Sequence, residues 1–429
     1  MPKIGLKILG SGREVGRSAI LVYSYEDGTQ ILLDYGVSVS EEEPGFPLHV
    51  QPRKLSAILL SHAHLDHSGA LPLLYISESK PLYTTLLNLE ISRILIMDFL
   101  KISGYYIPFE VIELESMTRS FVPLNYNDKV EVDGVTITAY DAGHIPGSVA
   151  YLLNINGVNI LYTGDFNTRD TCLLKGARLP VEKADIILTE ATYSLYSHPS
   201  REEVEKKFVA SLEEVLDEGG RILIPAFSVG RSQEILCILE KYGLTRYPVY
   251  MDGMARTVTQ IYLENRRFLA NPKLFEKAIE GVITVSGTRK RKEAIKKKQS
   301  IIVAPAGMLK GGPAMYYVRR IAEKRNNGVF FVSYQAPGSN GRSILLEGII
   351  PVLREKGIPV KARVEWFDFS SHVSKREIID FLSRAKKDAK IVVVHSPPKG
   401  GEYITNLIRE KLGRESIFPA NGEEFIFEF

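Results

Sequence analysis

The sequence contains only two cysteines, Cys172 and Cys237, in 429 residues. Two cysteines are too few for a disulfide scaffold or for a zinc cluster built from thiolates. This scarcity favours a reducing compartment. No apolar run approaches the length that crosses a membrane, and the first residues lack the apolar core of a signal peptide. We therefore expect a cytoplasmic protein without a membrane partner.

An excess of charge of either sign is also missing. Lys and Arg total 54 and Asp and Glu total 51, so the formal net charge is only +3. A polyanion would therefore have to be bound by a local basic patch. The densest basic run reads RKRKEAIKKK over residues 289–298. Such a run is commonly a solvated helix face, and its contact with a polyanion stays open.

The length exceeds that of one ordinary compact domain, so two domains are expected. From about Ser194, helical patterns alternate with short apolar segments, which is typical of βαβ units and a parallel sheet. We predict a first domain over residues 1–193, an inserted domain over 194–346, and a return to the first domain over 347–429.

The most informative stretch reads SHAHLDHSGALP over residues 61–72 and follows a short apolar segment of strand length. Imidazole nitrogens and carboxylate oxygens are zinc ligands. His62 and His64 can point to one side of an extended loop, while Asp66 and His67 can reach a second position. The alternative is a His-rich surface loop, which four donors in six residues disfavour. One loop could therefore seed two adjacent metal sites.

Further polar donors come where predicted strands end. His144, Asp165, Glu190 and His395 each follow or close an apolar segment. Strands that deliver donors in this way place them on one rim of a sheet. Asp34 closes another such strand and is expected to support the metal loop from behind its ligands.

Taken together, these residues resemble the metallo-β-lactamase fold and, within it, the β-CASP nucleases. The resemblance covers essentially the whole chain and includes the HxHxDH loop, His144 and Asp165. Glu190 in TEATY, His372 in SSHVS and His395 in VVVH match what the family calls motifs A, B and C. These three motifs separate nucleic-acid-processing members from ordinary metallo-β-lactamases. The length is similar to that of archaeal and bacterial relatives of the cleavage and polyadenylation specificity factor nuclease, in a form without KH domains.

The resemblance implies an α/β fold: a metallo-β-lactamase αββα sandwich with an inserted β-CASP domain whose parallel sheet is flanked by helices. It also implies two zinc ions per chain. The implied ligands are His62, His64 and His144 for one ion and Asp66, His67 and His395 for the other, with Asp165 bridging.

Catalytic roles are implied as well. Asp66 would orient the attacking water, and His372, oriented and charged by Glu190, would act as general acid for the leaving 3′ oxygen. An ordinary ion pair is the alternative for Glu190 and His372. The implied function is a zinc-dependent ribonuclease of single-stranded RNA, acting as endonuclease, 5′–3′ exonuclease or both, in RNA processing or decay. The rivals are a catalytically silent RNA-binding subunit and a small-molecule hydrolase of the same fold.

Gly-rich loops in the inserted domain resemble those of the β-CASP insert. Each follows an apolar strand and precedes a helical pattern, where exposed backbone N–H groups attract phosphates. Tight turns required only by the sheet are the alternative. The residues expected to contact RNA are Ser228, Arg231, Ser339 and Arg342.

The domain order adds an expectation about substrate shape. Asp165 and Glu190 precede the insert, whereas His372 and His395 follow it. A domain tethered by both ends beside the metals is expected to enclose a cleft that admits unpaired RNA. A homodimer is an assembly that the sequence leaves open.

Overall fold

The structure is a computed structural model that describes residues 2–39, 43–103, 107–351 and 357–429. The chain divides into two compact units. The first unit comprises Met1–Arg169, Gly176–Ser197 and Ser371–Phe429, and the second comprises Asp170–Lys175 and His198–Ser370.

Strands occur along the whole described chain. In chain order they are β1 (Lys3–Gly10), β2 (Ala19–Ser24), β3 (Gln30–Leu33), β4 (Ala57–Leu59), β5 (Leu82–Thr84), β6 (Phe121–Pro123), β7 (Lys129–Val132), β8 (Val135–Asp141), β9 (Val149–Ile155), β10 (Val158–Tyr162), β11 (Ile186–Glu190), β12 (Arg221–Pro225), β13 (Val249–Met251), β14 (Val282–Thr284), β15 (Ser300–Ala304), β16 (Gly328–Phe331), β17 (Ile349–Ile350), β18 (Ile358–Pro359), β19 (Arg363–Trp366), β20 (Lys390–Val394), β21 (Ser416–Ile417) and β22 (Glu424–Glu428).

Helices connect these strands. They are α1 (Leu65–Ser68), α2 (Leu86–Ser103), α3 (Val111–Arg119), α4 (Arg201–Asp217), α5 (Arg231–Lys241), α6 (Ala255–Glu264), α7 (Pro272–Glu280), α8 (Gly287–Lys296), α9 (Gly312–Ile321), α10 (Asn340–Glu347), α11 (Lys375–Ser383) and α12 (Pro398–Leu412). Among the described residues, no helix combines the length and the apolar character that spanning a bilayer requires.

The first unit is a sandwich of two seven-stranded sheets. One sheet has the order β22-β1-β2-β3-β4-β5-β6 and the other β21-β20-β11-β10-β9-β8-β7. Strand alternation decides which side chains enter the core between them, because successive residues face opposite sides. On β11, Ile186 and Leu188 join the core between the sheets, whereas Ile187 packs with Phe381 of α11 and Ile404 of α12.

The outer face of the other sheet is covered in the same way. Leu21 and Ile58 pack with Ile96 of α2 and Met117 of α3. Each sheet therefore buries both faces, and each fully buried aliphatic side chain contributes about 1.5–3 kcal/mol relative to exposure. The layers run helix, sheet, sheet, helix, so the predicted αββα sandwich is confirmed.

The second unit is built around a six-stranded sheet of order β14-β13-β15-β12-β16-β19. Every pairing in this sheet is parallel. Helices connect most of its successive strands, since a parallel pair cannot be closed by a tight turn. The predicted α/β class and the parallel sheet of the insert are confirmed.

The compact units divide the chain at other positions than the predicted limits of 194 and 346. The second unit runs on to Ser370 because β19 pairs with β16 at the edge of its sheet. The segment 347–429 therefore begins in the second unit and enters the first unit only at Ser371.

Candidate metal centre and active site

The donors are delivered by strands whose carboxyl ends share one edge of the β21–β7 sheet. β10, β11 and β20 are parallel neighbours, and they are followed or closed by Asp165, Glu190 and His395 respectively. β8 runs parallel to β10, because both pair antiparallel with β9, and it leads to His144. The sheet register thus places four donors beside one another.

The HxHxDH loop begins after β4 in the facing sheet. His62 and His64 lie in the connection, and the short helix α1 carries Asp66 and His67. Its first turn is closed by the His67 amide, which donates to the carbonyl of His64 at 2.9 Å. The loop therefore turns sharply enough to present donors on two sides.

The first donor set is His62, His64 and His144. His64 Nδ1 lies 3.2 Å from His62 Nε2 and 3.2 Å from His144 Nε2. Neighbouring ligands of a tetrahedral zinc ion lie about 3.3 Å apart, given zinc–nitrogen bonds of about 2.0–2.1 Å. These two spacings, with all three donor nitrogens within 4.8 Å of one another, are compatible with one zinc ion.

The second donor set surrounds His395. Its Nδ1 lies 3.3 Å from Asp165 Oδ1, and its Nε2 lies 3.4 Å from Asp66 Oδ2. Asp165 Oδ2 lies 3.4 Å from His67 Nε2 and 3.6 Å from His62 Nε2, so this one oxygen faces both sets.

Buried polar atoms at this point support a metal. His67 Nε2, His395 Nε2 and Asp165 Oδ1 are buried but make no hydrogen bond of ordinary geometry. An unpaired buried polar atom is costly, and native sites satisfy it with a partner, water or ion. The donor chemistry, the spacing and these three atoms all fit a pair of metal ions.

Asp34 holds the second set from behind. Its Oδ2 lies 2.7 Å from His67 Nδ1 and accepts hydrogen bonds from Tyr162 Oη and Ser61 Oγ, both at 2.6 Å. The Ser61 amide donates to Oδ1 at 2.6 Å. A carboxylate on Nδ1 fixes the ring so that Nε2 points into the site, which is the supporting role predicted for Asp34.

Burial and charge divide the histidines into two protonation classes. Burial lowers the pKa of His62 and His144 and brings that of His64 to about 4. Burial acts to lower the pKa of His67 as well. The nearby Asp165 and Asp34 carboxylates have a larger, opposite effect, so the net pKa of His67 is raised. The first set is therefore neutral and ready to bind, whereas His67 carries a proton that a metal must displace.

The buried Glu190 and the partly exposed His372 form a pair beside the donors. His372 Nδ1 lies 2.9 Å and 3.1 Å from the two Glu190 oxygens and 3.9 Å from Asp165 Oδ2. Burial acts to lower the pKa of His372, but the Glu190 and Asp165 carboxylates have a larger, opposite effect. The net result is a pKa raised to about 9. The imidazole therefore holds a proton at neutral pH, as a general acid requires.

Family models match three consecutive parts of the chain. A metallo-beta-lactamase superfamily domain matches residues 24–191, a Beta-Casp domain matches 232–344, and a Zn-dependent metallo-hydrolase RNA specificity domain matches 357–419. The chain is 43% identical to RNase aCSPSF2 of Saccharolobus solfataricus over 98% of its own length and 84% of that protein. The chain belongs to the β-CASP family of the metallo-β-lactamase superfamily.

Other relatives agree with this β-CASP assignment. Probable RNase MJ4 of Methanocaldococcus jannaschii is 36% identical over 97% of this chain and 98% of that protein. Transcription termination factor FttA of the same organism is 30% identical over 97% of this chain and 71% of that protein. A crystal structure of a protein of unknown function from Enterococcus faecalis covers 99% of this chain and is itself covered completely, with a TM-score of 0.63 and 17% identity. At that identity the structure supports the fold alone.

Several supporting residues of this β-CASP site were not predicted from the sequence. Asn88 is fully buried on α2, and its amide donates to the carbonyl of Ser61 at 3.0 Å. His144 Nδ1 lies 2.9 Å from the carbonyl of Ser371, and Thr192 Oγ1 lies 3.2 Å from His395 Nδ1. The available signal for Asn88 is an amide in the largely apolar segment 86–96, a pattern that by itself indicates helix packing.

The four residues predicted to contact RNA differ in exposure. Arg342 is exposed, and Ser228 and Arg231 are half-buried on either side of Gly230, the residue that precedes α5. Ser339 is fully buried; its hydroxyl donates to the Ala336 carbonyl at 2.7 Å and accepts from the Arg342 amide at 3.2 Å, capping α10. Their RNA contacts stay predictions, and Ser339 has a structural task of its own.

The basic run forms α8 and the turn after it. Arg291 Nε donates to Asp252 Oδ2 at 2.6 Å, and Asp252 is buried, so this cation is used inside the fold. Arg289, Lys292, Lys296 and Lys297 line a cavity of about 920 Å³ together with Tyr250, Ile283 and other residues of the same unit. Members of the run thus differ in role.

One further cluster of potential metal donors lies in the second unit. Donor atoms of Cys172, Glu205 and Glu234 approach within 4.8 Å of one another. However, Arg201 pairs with both carboxylates, and Lys241 Nζ lies 2.6 Å from Glu205. Burial raises the pKa of the Cys172 thiol to about 12, which keeps it protonated and a poor metal ligand. This cluster is an ion-pair network.

Proposed function

We propose that this metal-dependent ribonuclease uses two zinc ions to hydrolyse phosphodiester bonds of single-stranded RNA and leaves a 5′ phosphate. The observation that carries the proposal is the meeting of two donor sets at the Asp165 carboxylate, beside His372. His62, His64 and His144 would hold one ion, and Asp66, His67 and His395 the other, with Asp165 between them. Two such ions lower the pKa of a shared water and bind the phosphate oxygens.

Side chains of the protein supply the remaining catalytic roles. Asp66 keeps a carboxylate that is one-third exposed, and the proximity of His395 lowers its pKa against the effect of burial. This carboxylate orients the attacking water. His372, held by Glu190, delivers its proton to the leaving 3′ oxygen. A correctly placed acid of this kind contributes about 10²–10⁴-fold to the rate.

The relatives named RNases support RNA as the substrate, as does the match to an RNA specificity domain. The complete donor set distinguishes this proposal from a catalytically silent RNA-binding subunit, which has no need of seven ligands. Because RNA is the substrate and both cysteines are unpaired, we place the enzyme in the cytoplasm. Sedimentation of the purified chain would test whether it forms a homodimer.

The decisive experiment combines metal analysis with RNA cleavage. Elemental analysis should find about two zinc ions per chain, and Asp165→Ala should lose metal and activity together. Substrates labelled at the 5′ end and internally would separate endonuclease from exonuclease products. Full cleavage by metal-free protein would refute the proposal.

A further inference from the structure

Three aromatic side chains are exposed at one edge of the second unit's sheet. Phe227, Tyr334 and Trp366 have relative exposures of 37%, 47% and 45%. They follow or close β12, β16 and β19, which lie side by side in that order and run parallel. Phe227 comes two residues after β12, Tyr334 three residues after β16, and Trp366 is the last residue of β19. All three therefore lie at the carboxyl edge of the sheet.

Ser333 brings the three residues to one place. Its carbonyl accepts a hydrogen bond from Trp366 Nε1 at 3.1 Å, and the next residue is Tyr334. Its hydroxyl and the Phe227 amide both lie within 3.3 Å of the point where a Cβ on Gly307 would stand. Glycine at position 307 thus permits the close approach of the loops that carry the rings.

The loops beneath the rings are fixed by buried hydrogen bonds. Gln335 is 3% exposed, and its amide donates to the carbonyls of Gly307 and Ser333, both at 3.0 Å. Because the indole N–H of Trp366 is bound inside the protein, the part of this side chain that is open to solvent is apolar ring surface. The backbone supporting the three rings is therefore ordered before any ligand binds.

Single exposed apolar residues are normal on protein surfaces, but three aromatic rings at one sheet edge form a patch that marks interaction sites. We propose that Phe227, Tyr334 and Trp366 form a stacking platform for unpaired RNA bases. The proposal rests on the proposed ribonuclease function. Flat rings suit flat bases, every base has a π-face, and exposed Arg342 follows the Tyr334 loop on α10 as a cation for the RNA backbone. A paired base stacked in a duplex does not offer such a face, so the platform selects unpaired RNA.

Trp366 provides a direct measurement because it is the only tryptophan in the chain. The zinc-loaded His372→Ala protein, in which cleavage is slow, would be titrated with oligoadenylate of about twelve nucleotides. An abasic RNA of equal length has the same phosphates without bases. We expect oligoadenylate to quench Trp366 fluorescence and to bind more tightly, whereas the abasic RNA binds weakly and leaves the fluorescence unchanged.

Substitutions test whether the rings are the cause. In the same background, Trp366→Leu and Tyr334→Leu should each weaken oligoadenylate binding by roughly 5- to 150-fold in fluorescence anisotropy. Their affinity for the abasic RNA should hardly change. Trp366→Phe should retain much of the affinity, since a ring remains although the hydrogen bond to Ser333 is lost. Tyr25→Leu is the matched control, because Tyr25 is equally exposed, at 47%, but lies in the first unit.

Several outcomes would overturn the platform. Equal binding of oligoadenylate and abasic RNA without quenching would exclude stacking and leave the ribonuclease proposal standing. Equal losses in Trp366→Phe and Trp366→Leu would assign the effect to the hydrogen bond with Ser333. Quenching by an apolar peptide but by no RNA would make the surface a protein-binding site. Failure of every RNA to bind would refute both proposals.

Discussion

At the scale of single residues, the protonation states of the histidines determine whether each donor set must release a proton when it binds a metal ion. His62, His64 and His144 have lowered pKa values because burial opposes their charge. His67 has a raised pKa, since Asp165 and Asp34 outweigh its burial. The two sets therefore differ in proton release, although both bind through imidazole.

This difference predicts the pH dependence of metal affinity. Below the pKa of His67, each ion bound by the second set displaces one proton, so its apparent affinity should rise about tenfold per pH unit and level off above that pKa. The first set should be much less sensitive to pH near neutrality, since burial lowers the pKa of each of its histidines below the ordinary value. Zinc titration calorimetry in two buffers of different ionisation enthalpy measures the protons released.

Variants separate the two sets in that experiment. His395→Ala retains the first set, and His64→Ala retains the second. Asp34→Asn, which removes one of the carboxylates that keep His67 protonated, should reduce the proton release of the second set. Equal proton release from the two single-set variants would contradict the assignment.

His372 allows a second test at this scale. If it acts as the acid, His372→Ala should retain both zinc ions and the affinity for RNA while the single-turnover rate falls roughly 10²–10⁴-fold. Glu190→Gln should lose part of the rate, because the neutral amide holds His372 less firmly and charges it less. Loss of zinc from His372→Ala would instead make it a ligand, as its distance of 3.9 Å from Asp165 permits.

At the scale of secondary-structure elements, strand ends were the part of this site that the sequence could predict. Apolar runs ending in His144, Asp165, Glu190 or His395 carry a local signal, and the strands are observed there. Pairing between distant segments carries no such signal. The strand Arg363–Trp366 belongs to the second unit only because it pairs with β16. The support from Asn88 likewise depends on α2 packing beneath the metal loop.

Helix α8 shows why a basic run should be tested residue by residue. Lys292 and Lys296 line the cavity of about 920 Å³, whereas Lys290 and Lys298 do not. If RNA binds there, changing Lys292 and Lys296 to Gln should weaken binding and flatten its salt dependence by about 0.7 in log–log slope per lost phosphate contact. The matched change of Lys290 and Lys298 removes the same charge. Identical slopes in the two double variants would return the run to a solvated helix face.

Helix α4 carries an ion-pair network whose removal should affect stability. Arg201 is 13% exposed and pairs with Glu205 and Glu234, which are 2% and 6% exposed. Arg201→Met leaves two buried carboxylates with less compensation and should lower the free energy of unfolding by about 3–5 kcal/mol. Lys206→Met, in an exposed pair with Glu202 on the same helix, should have a much smaller effect, because solvent screens exposed pairs. Urea unfolding followed by circular dichroism would compare the two; equal effects would contradict the buried network.

At the scale of the whole molecule, two α/β units share one chain that crosses between them beside catalytic residues. After the longer segment of the second unit, the chain re-enters the first unit at Ser371, directly before His372. Motif B is therefore attached to both units through the backbone. The sequence predicted an insert because the parallel pattern replaces the sandwich pattern, but the exact limit depended on β19 and its partner.

The last prediction concerns substrate shape. Several of the proposed metal donors are buried: His62 is fully buried, and His144 and His395 are 4% and 3% exposed. His64, Asp66 and His372 are partly exposed, and the side chains of Asp66 and His372 are 33% and 21% exposed. A scissile phosphate must therefore enter a recess, which an unpaired strand can do by bending.

A duplex holds its phosphates on a stiff helix, and opening it costs stacking energy, which in DNA averages about 1.4 kcal/mol per base-pair step. We therefore expect unpaired RNA to be cut much faster than the same sequence in a perfect duplex, and a bulged duplex to be cut at its bulge. Cleavage of one labelled strand, alone and annealed, under conditions where the duplex stays paired, measures the ratio. Equal rates would mean that the phosphate reaches the metals while its strand stays paired. The recess could then not be the feature that selects unpaired RNA.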